Sequence, residues 1–167
     1  MTDERMADGL WCALARLPRG SGVVFRHYAT DDRRALFDRV RRIARKRRLL
    51  LLLAGTPREA IAWRADGAHG RSLHVRAARP LVRTASVHQA GEVRSSCADA
   101  MFVSPVFATR SHPGGRSLGI LRFGLIAQAA VGPVIALGGM NTRRFRRLAR
   151  LGAYGWAAVD ALSPIAA

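Results

Sequence analysis

Apolar residues recur along the chain in two alternating patterns, short continuous runs and runs with helical spacing. The short runs predict strands, because a strand of a buried parallel sheet is apolar on both faces. The chain contains seven such segments, and a Gly, Pro, Asn, Asp or Ser lies near the ends of most of them. The predicted strands are residues 22–28, 49–54, 66–69, 81–87, 99–104, 133–137 and 155–159.

Between these runs, apolar residues three or four positions apart predict helices that pack one face on a core. Thr56 with Glu59 predicts a capping box, with Pro57 at the first helical position. Asn141 is the expected cap of the last helix, and the first predicted helix is also expected to be capped. The predicted helices are residues 8–17, 31–46, 57–64, 89–96, 118–130 and 141–151.

Strands that alternate with helices indicate a parallel α/β sheet. The repeated strand–helix unit, without a second apolar core, favours a (β/α)8 TIM barrel over a doubly wound sheet. A chain of 167 residues is expected to form one domain, residues 1–167. Only seven strands are predicted, so the barrel lacks its first strand. Either the native start lies upstream of Met1, inside that strand, or the sheet is an open arc with two unpaired edges.

The formal charge of +17 and the preponderance of arginine are typical of a nucleic-acid-binding protein. The two dense clusters, however, lie on the polar sides of predicted helices, and no aromatic stacking pattern accompanies them. We therefore expect solvated surface and no specific nucleic-acid partner. The clustered cations are Arg39, Arg41, Arg42, Arg45 and Arg47 in one helix, and Arg143, Arg144, Arg146, Arg147 and Arg150 in another.

The sequence indicates neither a membrane span nor a signal peptide, and its two cysteines indicate neither a disulfide nor a zinc site. The longest apolar run, residues 49–54, is far shorter than the roughly eighteen residues that cross a bilayer. The acidic start, Met1-Thr-Asp-Glu-Arg5, is unlike a signal peptide, so we expect a cytoplasmic protein. Cys12 and Cys97 lack disulfide or zinc spacing and are predicted to be small buried hydrophobes. The oligomeric state stays open.

Residues 99–119 carry the clearest chemistry, because a buried strand runs directly into a loop of hydroxyls, cations and glycines. Such a loop suits phosphate binding, although a surface loop is the alternative. Gly138 and Gly139 follow the next strand, where the absence of side chains would let backbone N–H groups approach an oxyanion. A tight turn alone would also demand glycine there.

These motifs resemble the thiamine phosphate synthase/TenI family over residues 3–162. The resemblance is carried by Ser86-Val87-His88, by Pro105-Val106-Phe107 with Thr109, and by Gly138-Gly139. It implies an enzyme that joins a hydroxymethylpyrimidine diphosphate to a thiazole phosphate with loss of diphosphate. The alternatives are a TenI-like thiazole tautomerase and a non-catalytic homologue that binds a phosphate ligand. The expected partner is a small phosphorylated pyrimidine or thiazole.

The resemblance also implies site residues. Arg26, His88 and His112 would hold the diphosphate, and Thr109 and Ser111 the reacting phosphates. Gly138 and Gly139 would bind the thiazole phosphate. Ser86 matches a hydroxyl that contacts diphosphate or pyrimidine; alternatively, Ser86 caps the following helix and His88 faces solvent.

Several positions depart from the family pattern. Ala54, Gly55 and Thr56 stand where the synthase has Asn-Asp-Asp, and a later acidic position falls near His74. Magnesium prefers hard oxygen ligands, so the family's Mg²⁺ has lost its acidic ligands here, and no metal-binding residue is assigned. His69 matches a family histidine, whereas Pro105 stands where TenI proteins have their essential histidine. Asp160 replaces the synthase's serine at the last strand.

Overall fold

The computed structural model describes residues 1–70, 80–94, 96–109 and 115–159. These residues belong to two compact units, one containing Met1–Val82 and the other Arg83–Ala158. The arrangement of residues 1–167 as one domain stays a prediction.

Strands and helices alternate in the predicted order, and most are shorter at their ends than predicted. The strands are β1 (Gly22–Phe25), β2 (Leu50–Ala54), β3 (Gly67–His69), β4 (Val82–Val87), β5 (Ala100–Val103), β6 (Val134–Leu137) and β7 (Ala153–Ala157). The helices are α1 (Gly9–Arg16), α2 (Arg33–Arg47), α3 (Pro57–Ala62), α4 (Ala90–Arg94), α5 (Gly119–Ala129) and α6 (Thr142–Ala149), with a short 3-10 helix at Glu4–Met6. The described residues thus contain the seven strands that the apolar pattern predicts.

In the first unit β1, β2 and β3 pair in parallel and in chain order. One face of this sheet packs Phe25 and Leu53 against Phe37 of α2 in a core closed by α1 and α3. Because side chains alternate along a strand, the opposite face carries Val24 and then Arg26. The face opposite the core therefore carries the charged side chain of Arg26 at the carboxyl end of β1.

In the second unit β4, β5, β6 and β7 also pair in parallel and in chain order. Its core packs Val103 and Ala136 of the strands against Phe123 of α5 and Leu148 of α6. The pairing of β6 with β7 shifts register between Val134 and Ile135. Strand β7 begins at Ala153, which pairs with Val134, two positions before the predicted residue 155.

Strand β1 ends earlier than the predicted residue 28 because side chains satisfy the backbone beyond Phe25. The N–H of Arg26 donates to Oγ1 of Thr2 at 3.0 Å. The N–H groups of Tyr28 and Ala29 donate to the carboxylate of Glu4. A backbone that is hydrogen-bonded to side chains leaves the strand ladder.

The predicted helix caps have mixed outcomes. Thr56 and Glu59 form the full capping box, and Oδ1 of Asn141 accepts the N–H of Arg144 at 2.9 Å. The expected cap of the first helix is wrong, because the side chain of Asp8 makes no capping hydrogen bond.

The prediction of buried cysteines is also wrong, since Cys12 and Cys97 are exposed free thiols. Cys12 lies on α1, whose core-facing residues include Leu10 and Leu14, and Cys97 lies in the loop before β5. Within the described part of the chain, no helix is long and apolar enough to cross a membrane. Cytoplasmic location stays a prediction.

Candidate functional site

Gly138 and Gly139, here called the glycine turn, follow β6 directly. Their φ angles are +95° and +58°, in the left-handed region where side chains are strained. Conformation alone therefore favours glycine at both positions.

The glycine turn is packed against residues 104–109, here called the β5 loop because they follow β5. A Cβ at Gly138 would lie 2.8 Å from Cα of Pro105, and one at Gly139 would lie 2.4 Å from the carbonyl oxygen of Ala108. The space that glycine leaves free is thus occupied by protein backbone. This supports the alternative of a tight turn as the reason for the glycines themselves, while phosphate binding at their N–H groups stays a prediction.

Backbone hydrogen bonds hold the β5 loop in place. The N–H of Val106 donates to the carbonyl of Leu137 at 2.9 Å, and that of Phe107 to the carbonyl of Gly138 at 3.1 Å. The N–H of Gly119, at the start of α5, donates to the carbonyl of Val106 at 2.9 Å. The predicted loop after β5 and the predicted glycine pair after β6 therefore form one connected structure, which ends at Thr109 in the described residues.

His88 lies beside this structure, just after β4. It is exposed, and its Nδ1 lies 2.6 Å from the carbonyl oxygen of Ser104. Because a carbonyl only accepts, Nδ1 is the donor in this hydrogen bond, and Nε2 is the ring nitrogen that takes no part in it. The N–H of His88 donates to Oε2 of Glu92 at 2.8 Å, which fixes the backbone at the start of α4.

The remaining predicted site residues fall into three groups: those in the second unit, those outside the described residues, and Arg26 in the first unit. Ser86 lies half-buried in β4 and Thr109 half-buried at the end of the β5 loop. Ser111 and His112 lie outside the described residues, as does His74 near the expected acidic position. Arg26 belongs to the first unit, at the carboxyl end of β1.

In the first unit, Arg26 is accompanied by two buried histidines. Burial, together with the positive charge of Arg26, lowers the pKa of His69 to about 4. Burial also lowers the pKa of His27, whose Nδ1 lies 3.0 Å from Oγ1 of Thr2. Both rings are therefore neutral at pH 7, and the positive charge at this end of β1 comes from arginines, Arg26 among them.

Three arginines make specific contacts that the sequence pattern did not predict, because it either assigned them to solvated surface or did not single them out. Arg33 donates to the carbonyls of His27 and Ala54, the latter at 2.7 Å. Arg144 donates to the carbonyl of Gly139 and lies over the ring of Phe107. Arg47, likewise expected to be solvated, donates to the carbonyl of Leu17 at 3.0 Å. Helical spacing places a side chain on a face but does not show which carbonyl it reaches.

The family's Mg²⁺ does not fit the residues present. Among the described residues no three His, Cys, Asp or Glu side chains cluster as metal ligands. Ala54 and Gly55 offer no carboxylate, and the carbonyl of Ala54 is bound by the cationic guanidinium of Arg33. A divalent cation near this carbonyl would meet the positive charge of Arg33, and the nearby carboxylate of Glu59 is bound to Thr56 in the capping box.

Known proteins resemble this chain in sequence. A protein of Aquifex aeolicus (strain VF5) named "Putative thiamine-phosphate synthase 2" is 29% identical over 134 residues, covering 75% of this chain and 72% of that protein. The thiamine-phosphate synthase of Coprothermobacter proteolyticus is 30% identical over 113 residues, covering 62% of this chain and 54% of its own length. The chain thus spans about half the length of the second relative.

A solved structure and a family model extend this likeness. Thiamine phosphate pyrophosphorylase from Pyrococcus furiosus aligns with a TM-score of 0.72 at 24% identity, over 95% of this chain and 82% of that one. This likeness shows the fold and confirms the predicted α/β class of TIM-barrel type. The family model described as thiamine monophosphate synthase matches residues 3–162. Because that match covers nearly the whole sequence, the chain belongs to the thiamine monophosphate synthase family.

Proposed function

We propose that this chain joins a hydroxymethylpyrimidine diphosphate to a thiazole phosphate and releases diphosphate. The observation that carries the proposal is the family match over residues 3–162. The connected glycine turn and β5 loop support it, because they hold backbone amides in a fixed arrangement beside the hydroxyl-bearing Thr109.

In this reaction the bond between the pyrimidine methylene carbon and the diphosphate oxygen breaks, and the thiazole nitrogen takes its place on that carbon. The leaving diphosphate carries away the electron pair, so positive groups and N–H donors that meet it lower the barrier. In the proposal the glycine turn holds the thiazole phosphate, and Thr109 and Ser111 contact the reacting phosphates. Ser86 contacts the diphosphate or the pyrimidine.

Arg26, His88 and His112 are the proposed diphosphate ligands. Arginine suits this role, since it is charged at every relevant pH and its planar fork pairs with phosphate oxygens. His88 can donate to phosphate only when Nε2 is also protonated, because Nδ1 is already bound to Ser104. No step is assigned to Mg²⁺, whose expected ligands are replaced by Ala54 and Gly55.

The second candidate is a protein that binds a phosphate ligand without catalysis. It is favoured by the carboxyl end of β2, where Arg33 binds the carbonyl of Ala54, and by the finding that no three potential metal-ligating side chains cluster among the described residues. A thiazole tautomerase is disfavoured by Pro105, which stands where TenI proteins have a histidine.

The test combines binding with turnover. The purified chain is titrated calorimetrically with a thiazole phosphate and with inorganic phosphate, and diphosphate release is followed with both substrates present, with and without Mg²⁺. Diphosphate release supports the transferase, whereas binding without release supports the phosphate-binding protein. If neither phosphorylated ligand binds to folded protein, both candidates are wrong.

A further inference from the structure

Arg144 differs from the other arginines of α6. Its side chain is half-buried, and one of its terminal nitrogens donates to the carbonyl oxygen of Gly139. The other four arginines of this cluster are exposed: Arg143, Arg146, Arg147 and Arg150. Of five cations in this cluster, one therefore reaches the glycine turn.

The guanidinium of Arg144 is held on its other side by an aromatic ring. Its central carbon lies 4.6 Å from the centroid of Phe107, which belongs to the β5 loop. The backbone N–H of Phe107 donates to the carbonyl of Gly138 at 3.1 Å. Arg144 and Phe107 thus bind the two successive carbonyls of the glycine turn and also contact each other.

Fixing these carbonyls also fixes two N–H groups. In a planar trans peptide the C=O and the N–H point in opposite directions. The carbonyls of Gly138 and Gly139 therefore set the directions of the N–H groups of Gly139 and Met140. Neither N–H is hydrogen-bonded to any residue that the structure describes. Successive free N–H groups in a turn with positive φ form a concave anion site.

We infer that Arg144 is a positioning residue, which aims the N–H groups of Gly139 and Met140 at the phosphate of the thiazole substrate. This inference rests on the proposed role of the glycine turn in binding that phosphate. In this inference Arg144 acts through the backbone, because one of its N–H donors binds the carbonyl of Gly139 and its guanidinium lies against Phe107. A planar guanidinium can stack on Phe107 and donate in its own plane, which an ammonium cannot do.

The experiment compares Arg144→Ala with Arg146→Ala, which removes the same charge from an exposed position of the same helix. Calorimetry measures the affinity of each folded variant for a thiazole phosphate and for inorganic phosphate. We expect Arg144→Ala to weaken binding of both roughly tenfold, as misaligned donors do, and Arg146→Ala to stay within about twofold of the parent. Arg144→Lys keeps the charge and should lie between the parent and Arg144→Ala.

A second readout separates positioning from a general loss of structure. In turnover assays, Arg144→Ala should raise KM for the thiazole phosphate and leave KM for the pyrimidine diphosphate unchanged, whereas general loss of structure would move both. If Arg144→Ala does not fold, Arg144→Lys is compared with the parent by the same two KM values, for the thiazole phosphate and for the pyrimidine diphosphate. Parent-like thiazole phosphate binding in the folded Arg144 variants overturns this inference alone. Failure of the parent to bind any phosphate overturns the proposed function as well.

Discussion

Each unit uses a half-buried arginine near the start of a helix to bind carbonyls at or just beyond the ends of strands, but the two arginines bind differently. Arg33, the first residue of α2, bridges two different segments through the carbonyls of His27 and Ala54. Its guanidinium also lies 5.1 Å from the ring centroid of Trp63. Arg144 binds a single carbonyl, that of Gly139, and stacks on a single ring.

This difference indicates where each unit depends on a single side chain. In the first unit the arginine ties the ends of two strands together, so its loss leaves two carbonyls without their donor. In the second unit the glycine turn is already held by backbone hydrogen bonds and by close packing on the β5 loop. We therefore expect Arg33 to contribute more to the free energy of unfolding. Arg144 should contribute more to the orientation of the N–H groups in the glycine turn.

The largest effect should come from a side chain in the glycine turn. Gly138→Ala places a Cβ 2.8 Å from Cα of Pro105 at a φ of +95°. Left-handed strain and overpacking together should lower the free energy of unfolding by about 4 kcal/mol. Urea denaturation measures this loss. Gly155→Ala, in β7 with nothing within 4 Å of its Cβ position, is the control, and equal losses in both would contradict the packing account.

Arg33→Ala should have the next largest effect. It removes two charged hydrogen bonds to carbonyls, and we expect a loss of about 3 kcal/mol in unfolding free energy. Arg42→Ala, at an exposed position of the same helix, should change stability by less than about 0.5 kcal/mol. Thermal and urea unfolding of the two variants provide the comparison. A parent-like Arg33→Ala would show that water replaces the guanidinium at no cost.

His69 should make the stability of the first unit depend on pH. The folded-state pKa of about 4 lies below the unfolded value of 6.5, so the unfolded chain binds more protons between these values. Stability therefore falls as the pH falls from 6.5 towards 4, by about 2 kcal/mol at pH 5 from this group. The lowered pKa of His27 acts with the same sign. His69→Gln should flatten, but not abolish, the loss measured by urea denaturation between pH 7 and 5; an unchanged slope would exclude His69 as its source.

The smallest stability effect should come from Arg144→Ala. One charged hydrogen bond and one partly exposed cation–π contact are lost, so we expect about 1.5 kcal/mol. Arg146→Ala is the control in the same urea titration. A loss larger than that of Arg33→Ala would reverse the comparison between the two units.

Much of the local structure is present in the sequence. The alternation of apolar runs and helical spacing predicts the seven strands and their order, because burial of one face imposes its period on each segment. The capping box at Thr56 and the cap at Asn141 are equally local, since the groups that bond lie three residues apart. The motifs that resemble the thiamine phosphate synthase family are likewise visible within a few neighbouring residues of the sequence.

The contacts of each polar side chain depend on the tertiary structure. Arg144 and Arg146 both belong to the arginine cluster of α6, yet only the first meets Phe107 and Gly139, which other segments of the second unit bring to it. Cys12 is small and apolar enough for a core but lies on the outer side of α1. The glycine pair was evident from sequence, whereas its packing on Pro105 and Ala108 was not. Periodicity determines which face of an element is buried, but the contacts between distant segments exist only once those faces pack together.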